Sequence, residues 1–346
     1  MPDLRTIKIL LFADTHLGFD YPIRTRIERR RRGYDFFSNF DYILQYAIDN
    51  KIDIVVHGGD LFFRTKIPGR IVSMVYERLL KFAEHGIPIF IVPGNHESSR
   101  LPESLLTQHP NIYIFSKAET YTLNIKGVRV SLSGFPFVRH NIRDKFNSII
   151  NKLNDNSTPA DIKLLCMHQT VEGAQVGPSN FTFRNCEDVI RIEDLPLYYN
   201  CILSGHIHRM QILSKDFINT NRIPPLIYPG SIERTSFAEK DEEKGFFKIN
   251  FYNDGEVWNL DKLKFVKLPA RPMVDLNFYC DSTNDRIIKM QLKSLLLKID
   301  SNAIVRINCS NENIKKFLTS KLLREIAPKS MNVYLKGMRY IAEQKE

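Results

Sequence analysis

The chain has 346 residues, 43% of them hydrophobic and 25% charged, with a formal net charge of +10 and a pI near 9.2. That make-up belongs to a globular protein of about two domains with a real core, and it excludes a disordered or collagen-like chain. No apolar run approaches the roughly 20 residues that span a bilayer, and the N-terminus lacks a signal-peptide pattern, so a cytoplasmic protein with no membrane partner is expected.

In chain order, strands are predicted at 7–13, 54–57 and 87–92, with helices at 34–50 and 71–85 between them. Apolar strands separated by helices point to a layered α/β core with parallel pairing. In such sheets ligands gather just beyond the carboxyl ends of the strands. A hairpin over 121–133 turns at Asn124 and Gly127, and strands follow at 162–167 and 201–204. Pro224 and Pro225 mark a loop before Tyr228, ahead of strands at 245–251 and 257–266. This order fits a two-layer β-sandwich flanked by helices. Pro269 and Pro272 punctuate a boundary, after which 273–280, 285–298, 303–309, 311–326 and 331–335 read β, α, β, α, β. The expected domains are therefore 1–268 and a small α/β domain over 269–346.

Cys166, Cys186, Cys201, Cys280 and Cys309 are odd in number, with no CxxC pair, and are expected as buried free thiols. The positive charge favours a polyanionic partner, because lysine and arginine gain by displacing counterions from phosphate.

Five short polar motifs follow expected strands: Asp14-Thr15-His16, Gly58-Gly59-Asp60, Gly94-Asn95-His96-Glu97, His168, and Gly205-His206-Ile207-His208. Taken singly, each fits an ordinary turn or a satisfied core histidine. Together they hold five of the nine histidines, leaving His57, His85, His109 and His140 as ordinary surface or core residues. Carboxylate, imidazole and amide oxygen make a donor set for manganese, iron or zinc, not for a thiolate-bound or calcium site.

The five motifs in this order resemble the calcineurin-like metallophosphoesterases. The resemblance, over about 7–250, implies a first metal on Asp14, His16, Asp60 and His208. It implies a second on Asp60, Asn95, His168 and His206, with Asp60 bridging and Mn2+ the expected ion. Two divalent ions lower the pKa of water and neutralise charge on a phosphoryl transition state. His96 is implied to stabilise or protonate the leaving oxygen, and Glu97 to orient its neighbours.

A narrower resemblance to the SbcD family, relatives of the meiotic-recombination nuclease subunit, rests on three stretches. They are Asp14 to Gly18, His57 to Phe62, and the Tyr228-Pro229-Gly230-Ser231-Ile232-Glu233-Arg234-Thr235-Ser236-Phe237 block, in which Arg234 is a candidate supporting residue. The family implies a metal-dependent DNA endonuclease or exonuclease of repair and recombination, a capping domain that recognises DNA, and an SbcC-type coiled-coil ATPase partner. Longer relatives continue past the cap into helices that bind that ATPase, and this chain stops at Glu346. Arg24, Arg26, Arg29, Arg30, Arg31 and Arg32 are candidate DNA-backbone contacts. Phe63 stands where many relatives carry a histidine linked to handling DNA ends, which favours endonuclease over exonuclease action. Ile71, Val75, Leu79, Leu80, Leu101, Leu105 and Leu106 either pack on the sheet or offer a homodimer face. The competing readings are a small-molecule or protein phosphoesterase and a non-catalytic DNA-binding scaffold.

Overall fold

The computed structural model describes residues 6–21, 31–98, 100–102, 109–155, 159–215, 222–255 and 257–337. Along strand Thr6–Phe12, Ile7, Ile9 and Leu11 face one way, and Lys8, Leu10 and Phe12 face the other. The first set enters a core between two six-stranded sheets, where it meets Val56 and Phe90 of its own sheet and Val130, Leu132, Leu164 and Leu203 of the other. Of the second set, Leu10 and Phe12 are buried, Phe12 meeting Phe40 of helix Gly33–Asp49 with ring centroids 6.0 Å apart, and that helix buries Phe36, Phe40, Ile43 and Ala47 at helical spacing.

The first sheet runs Trp258–Lys267, Gly245–Asn253, Thr6–Phe12, Ile54–His57, Ile89–Ile91 and Ile112–Ile114 in spatial order. Its last four strands are parallel, and the first two join antiparallel. The second sheet runs Gln211–Lys215, Arg222–Tyr228, Cys201–Ser204, Ile162–Met167, Val128–Gly134 and Glu119–Ile125, again with four parallel strands in the middle. Helix Ile142–Asp155 covers its outer face, with Phe146 and Leu153 packed in one cluster with Leu165, Met167 and Tyr228. The predicted two-layer sandwich flanked by helices is the observed core.

Several expectations are corrected. Pro224 and Pro225 lie inside strand Arg222–Tyr228, not in a loop before it. They sit where the register with Gln211–Lys215 shifts, and the pairing with Cys201–Ser204 is confined to Leu226 and Ile227, so no ladder needs their missing N–H groups. The predicted helix 311–326 is two helices, Glu312–Phe317 and Ser320–Ile326. The break comes at Leu318, with Thr319 capping the second helix by accepting from the Leu322 N–H. Helix Ile142–Asp155 was not predicted. Cys186 is exposed and Cys280 half-buried, while Cys166, Cys201 and Cys309 are buried, all five as free thiols. Ile71, Val75, Leu79 and Leu101 are buried within the single chain, which removes them as a free dimer face. Leu80 is half-buried, and Leu105 and Leu106 fall outside the described residues. Among the described residues no helix is long and apolar enough to cross a membrane.

The chain divides into two compact units, one of residues 1–18, 35–234 and 242–269, the other of 19–34, 235–241 and 270–346. Segments 19–34 and 235–241 group with the C-terminal stretch. The physical ties of 235–241 are an ion pair from Lys240 to Asp275 at 3.0 Å and the Arg306 guanidinium 4.3 Å over the Phe237 ring. The second unit carries three parallel strands, Met273–Asn277, Ile304–Asn308 and Asn332–Leu335, with helix Asp285–Leu296 burying Ile288, Leu292 and Leu296. Buried Arg271 knits this unit, donating to the carbonyls of Asn302, Ala303 and Ser330 and to Asn332 Oδ1. Replacing Arg271 with alanine strands those buried acceptors and should destabilise the unit by on the order of 3 kcal/mol. Scanning calorimetry checks this, and an unmoved transition would show that water replaces the guanidinium.

Candidate metal centre

Five parallel strands aim the site. Thr6–Phe12, Ile54–His57 and Ile89–Ile91 are neighbours in the first sheet, Ile162–Met167 and Cys201–Ser204 in the second, and each runs at its carboxyl end into one of the five motifs. The two sheets close on one another here, with the Gly205 N–H donating to the Gly58 carbonyl at 3.1 Å. A Cβ on Gly205 would lie 2.4 Å from that oxygen, so glycine is required for the approach. The first two loops run side by side, Asp14 N–H donating to Gly59 O and His16 N–H to Asp60 O. Asp14, His16, Asp60 and His206 adopt left-handed backbone conformations, with φ of 50°, 42°, 53° and 81°. Each such residue costs on the order of 1 kcal/mol or more and persists only where its surroundings enforce it.

His16 and His208 face each other with Nε2 atoms 2.9 Å apart, and His208 Nε2 lies 3.9 Å from Asp14 Oδ1. Asp14 is further held by the His206 N–H, 3.1 and 3.2 Å from its two oxygens. On the other side, His168 Nε2 and His206 Nδ1 converge on Asn95 Oδ1 at 3.0 and 2.9 Å. Asp60 stands between the groups. Its Oδ2 is 3.4 Å from His168, 4.0 Å from His16 and 3.9 Å from His96, while its Oδ1 accepts the His96 N–H. Asp14, His16, Asp60 and His168 are all at most 2% exposed, whereas the His96 side chain is 36% exposed. His96, together with His208 at 26%, therefore brings the cluster to solvent.

Burial opposes this much charge. It raises Asp14 above the ordinary carboxylate value and, with repulsion from His168, pushes His206 down to about 3. Burial would also raise Asp60, but the charge and hydrogen bond of His168 outweigh it, aided by His16 and His96, and hold Asp60 well below the carboxylate range. His168 shows the reciprocal effect: burial lowers it, Asp60 and Asp14 overcome that, and it is pushed up to about 9.

The donors fit divalent cations. Asp14, His16 and His208, then His16, Asp60 and His96, then Asp14, Asp60 and His168 each bring ligand atoms within 4.8 Å of one another. His168 donates Nδ1–H to the Gly58 carbonyl at 2.8 Å, the outer hydrogen bond that turns the other nitrogen of a metal-binding histidine toward its ion. Two imidazole nitrogens 2.9 Å apart, and two more on one amide oxygen, are arrangements that cations relieve. Overlapping groups sharing Asp14, His16 and Asp60 suit two ions.

A family model described as calcineurin-like phosphoesterase matches residues 7–210. The chain belongs to that family. As a calcineurin-like phosphoesterase it is a hydrolase of phosphoester bonds, and residues 7–210 take in all five motifs. Curated relatives carry the name DNA double-strand break repair protein Mre11. The protein from Methanococcus maripaludis is 26% identical over 72% of this chain and 65% of its own length. That from Sulfurisphaera tokodaii is 24% identical over 92% of this chain and 77% of its own length. That from Methanosarcina acetivorans is 30% identical over 72% of this chain and 38% of its own length. The chain thus spans less than two thirds of the Methanococcus relative. Among solved structures, a dimetal phosphatase from Danio rerio aligns with a TM-score of 0.39 at 13% identity, covering 75% of this chain and 98% of that one, too loosely to bear on function.

Around the phosphoesterase centre, Glu97 lies buried beneath the loops and accepts the Phe62 N–H at 2.6 Å and the Gly94 N–H at 2.9 Å, tying the second motif to the third. Arg234 donates to the Glu242 carbonyl, and the Glu242 carboxylate pairs with Arg209 and with buried Lys244. Lys244 Nζ donates in turn to the His208 carbonyl at 3.0 Å and Ser231 Oγ at 2.8 Å. Sequence reasoning missed this lysine, whose one signal is a charge leading directly into the apolar run of Gly245–Asn253. It also passed over His57. Buried at 1% exposure, His57 accepts the Gly59 N–H at Nδ1 and so donates from Nε2 to Thr15 Oγ1, which bonds onward to Leu61 O. Phe137 walls the site, its ring centroid 5.4 Å from that of His206 and 5.9 Å from that of His168. Of the arginine run, the described residues are Arg31 and Arg32. Arg32 is 2% exposed with its guanidinium over Phe19, and Arg31 pairs with Asp20 at 3.1 Å, so internal contacts occupy both. Arg24, Arg26, Arg29 and Arg30 lie outside the described residues.

A Cβ on Gly94 would fall 2.2 Å from Asp60 Oδ1 and 2.4 Å from Asp60 N. Gly94→Ala should displace Asp60 and weaken divalent-metal binding about 10- to 100-fold, the usual cost of disturbing a ligand's support. Titration calorimetry reads this, and unchanged affinity would show that Asp60 is not held by the Gly94 turn.

Proposed function

We propose that this phosphoesterase is a DNA nuclease of the SbcD type, cutting phosphodiester bonds with two divalent ions, Mn2+ by preference, in DNA repair and recombination. The observation that carries the DNA reading is the extent of likeness to the Sulfurisphaera repair protein. At 92% of this chain, it runs past the phosphoesterase core of 7–210 into the second unit. A phosphatase of small substrates has no need of that unit. On this reading residues 269–346 cap the nuclease and recognise DNA, and an SbcC-type ATPase is the partner.

Asp14, His16, Asp60 and His208 would hold one ion, and Asp60, Asn95, His168 and His206 the other. When bound, the ions supply Lewis-acid neutralisation of the phosphate and activation of water. The chain's own residues do the rest. His96 donates Nδ1–H to the Phe63 carbonyl at 2.7 Å, which fixes the ring and leaves Nε2 as the atom that holds a proton for the leaving oxygen. The Phe63 ring stacks on His96, centroids 6.0 Å apart, and keeps water from that side. Asp60 Oδ1 takes the His96 N–H, so the carboxylate that both ions would share also sets the position of the proton donor.

The test is a nuclease assay of the purified chain on labelled linear duplex and on circular single-stranded DNA, with Mn2+ or EDTA, beside His96→Ser. Mn2+-dependent cutting is expected, reduced about 10²- to 10⁴-fold in the variant, the range for losing a general acid. Cutting of the circle establishes endonuclease action. Absence of DNA cutting alongside hydrolysis of a small chromogenic phosphodiester would overturn the nuclease reading in favour of a small-substrate phosphoesterase.

A further inference from the structure

The face of the first sheet that carries Leu10 and Phe12 also carries an unneutralised block of lysines. Register places Lys248 opposite Lys264 and opposite Leu10, and Asn250 opposite Lys262 and opposite Lys8. Residues directly opposite in antiparallel strands share a face, so Lys8, Lys248, Lys262 and Lys264 all project from the same side of three adjacent strands. Neighbouring members lie roughly 5 to 8 Å apart by strand geometry. No ion pair among the described residues engages any of the four ammonium groups. The carboxylate nearest in the backbone pattern, Asp53, accepts the Lys8 main-chain N–H and pairs with Lys126 at 2.7 Å. The crowding is felt by Lys248, which burial and then Lys8, Lys264 and Lys262 hold below the ordinary lysine value.

Trp258–Lys267 is an edge strand, and lysines on an edge guard against pairing with another chain. That accounts for Lys262 and Lys264. It does not account for Lys248 or Lys8, which sit on the second and third strands, where no edge is exposed. Like charges directly opposite one another weaken a sheet, so a cluster that spreads inward needs another use.

We propose that Lys8, Lys248, Lys262 and Lys264 form a phosphate-binding platform that takes the backbone of a nucleic acid apart from the metal centre. Lys8 lies six residues before Asp14, about 20 Å along the strand direction at about 3.3 Å per residue. Exposed Lys262 and Lys264 meet the phosphates first, and half-buried Lys8 and Lys248 sit behind them. The platform reads no sequence: it holds the backbone and lengthens the bound tract. This rests on the nuclease reading, and its test separates the two.

The experiment measures binding of a short labelled DNA duplex by fluorescence anisotropy over a salt series, in EDTA so that no cutting occurs. Wild type is compared with a Lys248→Gln, Lys262→Gln, Lys264→Gln triple variant and with the matching arginine triple. The glutamine triple should bind at least tenfold more weakly at moderate salt. Its slope of log affinity against log salt should flatten by about 0.9 for every phosphate no longer neutralised, and the arginine triple should retain wild-type behaviour. Mn2+-dependent turnover of a small chromogenic phosphodiester should be unchanged in both. An unaltered slope in the glutamine triple would leave these lysines as edge protection only and overturn the platform alone. A wild-type chain that does not bind the duplex overturns the platform and the nuclease reading together.

Discussion

Everything at the metal centre depends on one close approach, the Gly205 N–H on the Gly58 carbonyl. Each sheet alone carries an incomplete set of donors. The first contributes Asp14, His16, Asp60, Asn95 and His96, and the second His168, His206 and His208. Only where both sheets end together can His168 and His206 reach Asn95, and His208 reach His16. Two glycines make that possible because a Cβ on either would fall within 3 Å of the facing backbone. The buried apolar layer between the sheets sets their separation elsewhere, and the glycines let them touch at one end.

The same approach explains why the site is strained and charged at once. Four of its residues hold left-handed backbone conformations, and its carboxylates are almost wholly buried. Such features cost stability, and here they are enforced by hydrogen bonds that leave few alternatives: the neighbouring loops' main-chain pairs, the Glu97 carboxylate across two amides, and Lys244 under the His208 carbonyl. A folded chain that invests this much in placing donors is organised before any ion arrives, the condition for strong electrostatic catalysis.

Much of this was legible in the sequence. The apolar runs at 54–57, 162–167 and 201–204 became strands with those same limits, because buried parallel strands leave a continuous apolar signature. The five polar motifs came together because topology delivers every parallel strand's carboxyl end to the same edge of the sandwich. The rest was hidden for physical reasons. Pro224 and Pro225 read as a loop because proline forbids a ladder bond, but at a register shift no ladder bond is needed. The pairing of Arg31 with Asp20 and of Arg32 with the Phe19 ring could not be read from a run of arginines. The inserted segments 19–34 and 235–241 were invisible because membership of a unit is decided by pairings such as Lys240 with Asp275, distant in sequence. His57 looked idle because its work is done through Thr15 and not on an ion.

Phe63 brings these threads together. The group that fixes His96 is the Phe63 backbone carbonyl, which any residue at that position supplies. What the phenylalanine side chain adds is an apolar ring against His96 and His16, with the Arg64 guanidinium 5.5 Å over its centroid. Exposed Arg64, stacked on the same ring, sets a guanidinium at this rim beside the half-exposed His96 imidazole. On the proposed nuclease reading, a rim built this way separates two tasks: the ring and guanidinium shape where phosphate enters, and His96 handles the proton.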